Sequence, residues 1–122
     1  MKNYEKYITS AIKEMDNLFE DIESLFYNIR VNVLNARYNP DVDSTTYCQY
    51  VEENFKCLED CLNKSEAILN EATGKFDEFQ AKNQSDLYAM NFSMVNLTYT
   101  RDKHNLYVEI FEKLQFIRHI VK

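Results

Sequence analysis

Two ladders of apolar residues, climbing in alternate steps of three and four, constrain this chain more than any other feature. The first runs Tyr4, Ile8, Ala11, Met15, Leu18, Ile22, Leu25 and Ile29, with Ala36 in phase. The second runs Cys48, Val51, Phe55, Leu58, Leu62, Ser65, Leu69, Ala72, Phe76 and Phe79. Steps averaging about 3.5 keep side chains on one face of an α-helix. Ile12, Phe19, Phe26 and Val33 follow alternate rungs of the first ladder and widen it. A stripe of that width suits a helix facing two neighbours better than a two-stranded coiled coil. The positions between, Thr9, Lys13, Asp16, Glu20, Glu23 and Arg30, are polar and read as outward-facing.

These patterns predict three helices, at about residues 3–38, 44–81 and 85–121. Asn3 is placed to cap the first. Pro40 disfavours helical geometry in the residue before it, so the first helix stops at Asn39-Pro40-Asp41. Ser44, or equally Asp43, then caps the second helix. Gly74 lies inside that helix on its solvated side, and Phe76 and Phe79 hold the phase beyond it. Asn83-Gln84-Ser85-Asp86 forms the next turn. The third helix is less regular: Leu87, Met90, Met94 and Leu97 make one stripe, and Leu106, Ile110, Leu114, Ile117 and Val121 another. The polar stretch 98–105 between them is a candidate kink.

One Gly and one Pro in 122 residues leave too few turn residues for a sheet architecture. Three near-equal helices of ~54 Å joined by short turns fold back on one another. The expectation is an all-α, single-domain protein over residues 1–122, an antiparallel three-helix bundle with coiled-coil-like packing. In general shape such a bundle is similar to spectrin repeats and to the N-terminal bundle of syntaxins, a likeness of fold that carries no function.

Composition narrows the function. Acids outnumber bases 20 to 14, for a net charge of −6, which argues against nucleic acid as a ligand because phosphate binding needs Lys and Arg. Residues 39–79 carry ten acids and three Lys, whereas 98–122 carry five bases and three acids. No apolar run approaches the ~20 residues that span a bilayer, so no membrane insertion is expected. No leader segment stands at the start, and three cysteines cannot form a closed disulfide set. Together these point to an intracellular, cytoplasmic location.

No constellation for chemistry stands out. His104 and His119 follow Arg101 and Phe116 by three residues, so the Glu-x-x-His pattern of di-iron bundles is missing. His104, in the polar stretch, reads as exposed. Cys57 and Cys61 share one side of a helix, but no further Cys or His lies near enough in sequence to complete a zinc site. Cys48 reads as a small core hydrophobe, Cys61 as flanking the seam and Cys57 as outward-facing. With Gly74 the sole glycine there is no phosphate-cradling loop. The chain therefore reads as a non-enzyme without metal or cofactor.

What remains is surface. Tyr27, Tyr38 and Tyr50 fall on outward positions and Tyr47 flanks the seam, and the turn after the first helix brings Tyr38, Tyr47 and Tyr50 to one end of the bundle. Tyr supplies contact area and a polar tip at low entropic cost. Glu52, Glu59 and Glu66, with Glu53 and Asp60 alongside, form an acidic row repeating by heptads. The function expected is protein–protein interaction: a scaffold subunit of a larger assembly, or a homo-oligomer. The alternative is an acidic inhibitor or decoy that binds a basic surface of a target protein.

Overall fold

Helices α1 (Lys2–Tyr38), α2 (Ser44–Lys82) and α3 (Leu87–Val121) follow one another in the computed structural model. It describes residues 2–41, 43–82 and 87–121, with side chains at 6–41, 43, 45–82 and 91–116. The predicted Asn83–Asp86 turn, the face of Leu87 and Met90, and the contacts of Ile117, His119 and Val121 lie outside the described residues.

The ladders explain the packing. Ser65 meets His104 and Phe55 meets Phe111, so α2 and α3 run in opposite directions. Phe19 and Phe26 both meet Tyr107, while Ile8 and Ala11 cluster with Leu97, so α1 and α3 run the same way. Every pair of helices is in contact, which makes a three-helix bundle with α2 antiparallel to the other two.

Along α2 the core is the predicted ladder: Val51, Phe55, Leu58, Leu62, Ser65, Leu69, Ala72 and Phe79 are buried. A fully buried leucine such as Leu58 contributes about 1.5–3 kcal/mol by leaving water. On α1 Ile8, Ala11, Met15, Ile22 and Ile29 are buried as the ladder puts them, Leu25 and Ala36 are half-buried, and the side chain of Tyr4 lies outside the described residues. Phe19 is buried and Leu18 only half-buried, because the larger ring occupies the three-way interface with Tyr107.

The third helix corrects the sequence reading. It continues without interruption through residues 98–105. Its core face is Ser93, Leu97, Thr100, His104 and Tyr107, followed by half-buried Phe111 and Leu114, in steps of four and three. Met94 and Leu106, expected in the seam, are exposed. The stretch that read as a polar interruption is a heptad seam whose buried members happen to be polar. Thr100 Oγ1 is satisfied within its own helix, donating to the Asn96 carbonyl at 2.8 Å, whereas the buried Ser93 hydroxyl has no hydrogen-bond partner.

The helix ends settle the caps. Asp43, rather than Ser44, caps α2: its Oδ1 accepts from the Thr45 N–H at 3.0 Å and its Oδ2 from the Thr46 hydroxyl at 2.8 Å. Its carbonyl takes the first helical bond, from Tyr47 N–H. The Thr46 hydroxyl, then the Thr45 N–H, hold the Asp43 carboxyl below the ordinary range. Asn39 Oδ1 accepts from the Asp41 N–H at 3.1 Å, folding the chain sharply after α1. Asn3, expected as a cap, is already helical.

Candidate functional site

Position along α1 decides what the tyrosines do. The core face of this helix centres on Ile22 and Ile29. At 100° per residue, Tyr27, Val31, Leu34 and Tyr38 fall on the opposite side. Tyr27 is 66% exposed, Leu34 46% and Tyr38 69%. With half-buried Val31 between them they make an apolar stripe along the back of α1. The Arg37 guanidinium stacks on the Tyr38 ring at 5.5 Å. Tyr38 ends α1, and Tyr47 and Tyr50 open α2, so these three share one end of the bundle as expected. Tyr50 is exposed and Tyr47 half-buried, and their rings pack edge to face at 5.8 Å. Val31 and Leu34 escaped the sequence reading, although their spacing between Tyr27 and Tyr38 was a legible signal.

The acidic row divides. Glu53, Glu59, Asp60 and Glu66 are exposed and Glu52 is half-buried. Glu59 and Glu66 border a groove of about 300 Å³ between α2 and α3. Leu62, Val108 and Phe111 form its floor, with Asn63 between the two α2 carboxylates and Glu112 on the α3 rim. Glu53 and Asp60 do not line it. The α3 residues of this groove were missed because the phase of that helix was misread. A second groove, between α1 and α2, mixes Glu14 and Asp21 with Lys64 over Leu18, Ala67 and Ile68.

Between the grooves lies the most polar part of the core. Ser65 is 0% exposed and His104 3%, against the expectation that His104 faces solvent. Ser65 Oγ donates to the Leu62 carbonyl at 2.9 Å and lies 2.6 Å from His104 Nδ1. A hydroxyl has one proton, so His104 donates its Nδ1–H to Ser65. Burial lowers the His104 pKa; Glu66 nearby opposes that shift and Arg101 reinforces it. A serine and histidine in contact suggest nucleophile and base, but neither meets solvent, so the pair holds α2 to α3. One turn away, Tyr107 donates its hydroxyl to Glu23, and burial followed by this bond raises the tyrosine's pKa. Glu23 is exposed as read, yet it is not a free surface carboxylate.

No protein family matches the chain, and neither a curated protein nor a solved structure is significantly similar to it.

The remaining candidates fall into place around this geometry. Cys57 is exposed, while Cys48 and Cys61 are half-buried. Burial, then the Asp21 charge, pushes the Cys61 thiol up. Among the described residues no group of three or more His, Cys, Asp or Glu is placed to hold a metal ion. No described helix is long and apolar enough to cross a membrane. The arrangement leaves two surface features: an apolar stripe on α1 and an acid-rimmed groove between α2 and α3.

Proposed function

We propose that the chain is a non-enzymatic interaction protein, a subunit that works by binding another protein chain. One observation carries the reading: exposed Tyr27, Leu34 and Tyr38, with half-buried Val31 between them, lie in a row on the back of α1. Single exposed apolar residues are ordinary, but a row along one helix face marks a surface meant to be covered. A rigid helix presents the tyrosines at little entropic cost, and one buried Tyr anchor contributes ~2 kcal/mol or more. Three cysteines, an odd number that cannot close into a disulfide set, suit an intracellular, cytoplasmic setting for this work.

Affinity purification from the native source tests it, run on the wild type and on Tyr27→Ser/Tyr38→Ser, with the fold of both checked by circular dichroism. The expected result is a protein, foreign or a second copy, retained by the wild type and lost by the variant. Equal recovery with both would end the assignment to this face.

A second reading is favoured by the groove. Carboxylates on both rims and hydrocarbon beneath suit an inhibitor or decoy that holds a basic segment of a target protein. Glu59→Gln/Glu66→Gln should abolish such capture and leave the α1 stripe competent.

A further inference from the structure

The back of α1 and the α2/α3 groove are complementary in charge and in spacing. Between Ser24 and Pro40 the chain has no acid and two bases, Arg30 and Arg37, in a protein of net charge −6. At 100° per residue both arginines run along one edge of the apolar stripe, and Asn28 and Asn35 along the other. The arginines are one heptad apart, ~10.5 Å along the axis. Glu59 and Glu66, on the α2 rim of the groove, are also one heptad apart, ~10.5 Å. The groove's lining contains three carboxylates and no Lys or Arg.

We infer that the back of α1 seats in the α2/α3 groove of a second copy of the chain. This deepens the interaction reading above and rests on it. Val31 and Leu34 cover the floor at Val108 and Phe111. Arg30 and Arg37 meet the rim at Glu59 and Glu66, and the asparagine edge turns its amides to Glu112. Arg–carboxylate pairing is directional and fixes alignment. The rims are solvated, so each pair adds little alone, but together the charges fix register and supply the margin that a small apolar contact needs to hold two copies. A foreign basic helix fits the same groove, but this chain already carries a complement of matched spacing.

The two surfaces differ, so the contact is heterologous. In a three-helix bundle the back of one helix faces away from the groove between the other two. Each copy can therefore use both surfaces at once, and copies add head to tail into a ring or a filament.

Sedimentation of the full chain over rising concentration, at low and high salt, tests this. The wild type should exceed the monomer mass of 14.6 kDa and fall back toward it in high salt. Arg30→Glu/Arg37→Glu and Glu59→Arg/Glu66→Arg should each sediment as monomers. Mixed one to one they should associate again, since each variant's altered face then meets its complement. If either reversal unfolds by circular dichroism, Glu59→Gln/Glu66→Gln carries the same loss. A wild type that stays monomeric at its highest soluble concentration overturns the inference. So does association unchanged by both reversals, or a mixture that stays monomeric. Those failures leave Tyr27/Tyr38-dependent capture of a foreign protein intact; loss of that dependence is what ends the broader reading.

Discussion

Removing Ser65 should cost this protein more than removing its larger partner, His104. Ser65→Ala takes away the acceptor of the buried His104 Nδ1–H at 2.6 Å. A buried donor left without a partner costs about 1–3 kcal/mol. His104→Leu has a different outcome, because the Ser65 hydroxyl keeps its bond to the Leu62 carbonyl at 2.9 Å. Leucine also fills much of the vacated volume, so the loss should stay under ~1 kcal/mol. The double variant replaces both polar partners with apolar groups and should regain most of what Ser65→Ala loses. Unfolding entropy of ~2.1 cal/mol/K per residue converts each kcal/mol into about 4 °C of Tm for a chain this long. Ser65→Ala should then melt ~4–12 °C below the wild type, with His104→Leu and the double variant close to it. The same pair makes stability depend on pH. The folded-state pKa of His104 lies below its ordinary value of 6.5, so at mildly acid pH the unfolded chain binds the extra proton. The contribution is complete above 6.5 and is lost as pH falls from there toward the lowered folded value. Denaturant titrations between neutral and mildly acid pH should show this slope in the wild type and a shallower one in His104→Leu. The reasoning fails if Ser65→Ala melts with the wild type, if His104→Leu is the more damaging change, or if both proteins share one pH slope.

Gly74→Ala should stabilise: a Cβ there meets nothing within 4 Å, and Ala exceeds Gly by ~1 kcal/mol inside a helix, so Tm should rise by about 4 °C. A fall would mean that α2 is not regular at this point. Asp43→Ala should lower Tm by a few degrees through loss of the α2 cap, whereas Asp41→Ala, whose carboxylate caps nothing described, should not; equal melts would remove the cap assignment. Brief thiol labelling read by mass spectrometry should modify Cys57 well ahead of Cys61, whose thiol is half-buried with a raised pKa, and ahead of half-buried Cys48. Labelling led by Cys61 would mean α2 is rotated about its axis.

How much was legible differs by helix, for a physical reason. Hydrophobic periodicity reports a buried face only when that face is made of hydrocarbon. On α2 it is, and every rung from Val51 to Ala72 sits where the ladder puts it. On α1, Leu18 and Phe19 are adjacent apolar residues, and which one enters the centre is decided by Tyr107 on another helix, which local spacing does not contain. On α3 the seam holds Ser93, Thr100 and His104 while Met94, Val95, Tyr99 and Leu106 face outward, so an apolar count tracks the wrong side. The tyrosines of the candidate surface were readable because α1 kept its phase. The groove was half readable: Glu59 and Glu66 were evident, but Val108, Phe111 and Glu112 depended on the phase of α3.

That polar seam also bears on how the molecule comes apart. Net contributions from buried hydrogen bonds are about 0.5–1.5 kcal/mol each, less than a fully buried leucine or phenylalanine provides. Where α1 and α2 grip each other with hydrocarbon, the first half of α3 holds on with Leu97 and three polar residues, Ser93, Thr100 and His104, and the Ser93 hydroxyl has no bonding partner. The bundle behaves as a hairpin closed by a clasp. Its cheapest excursion is the release of α3 from a persisting α1/α2 pair, beginning at the Ser93 end, so backbone amides there exchange with solvent first. The second half of the same helix, through Val108, Phe111 and Glu112, is one wall of the acid-rimmed groove. Whatever settles into the groove binds only the closed form and, by mass action, keeps the clasp fastened.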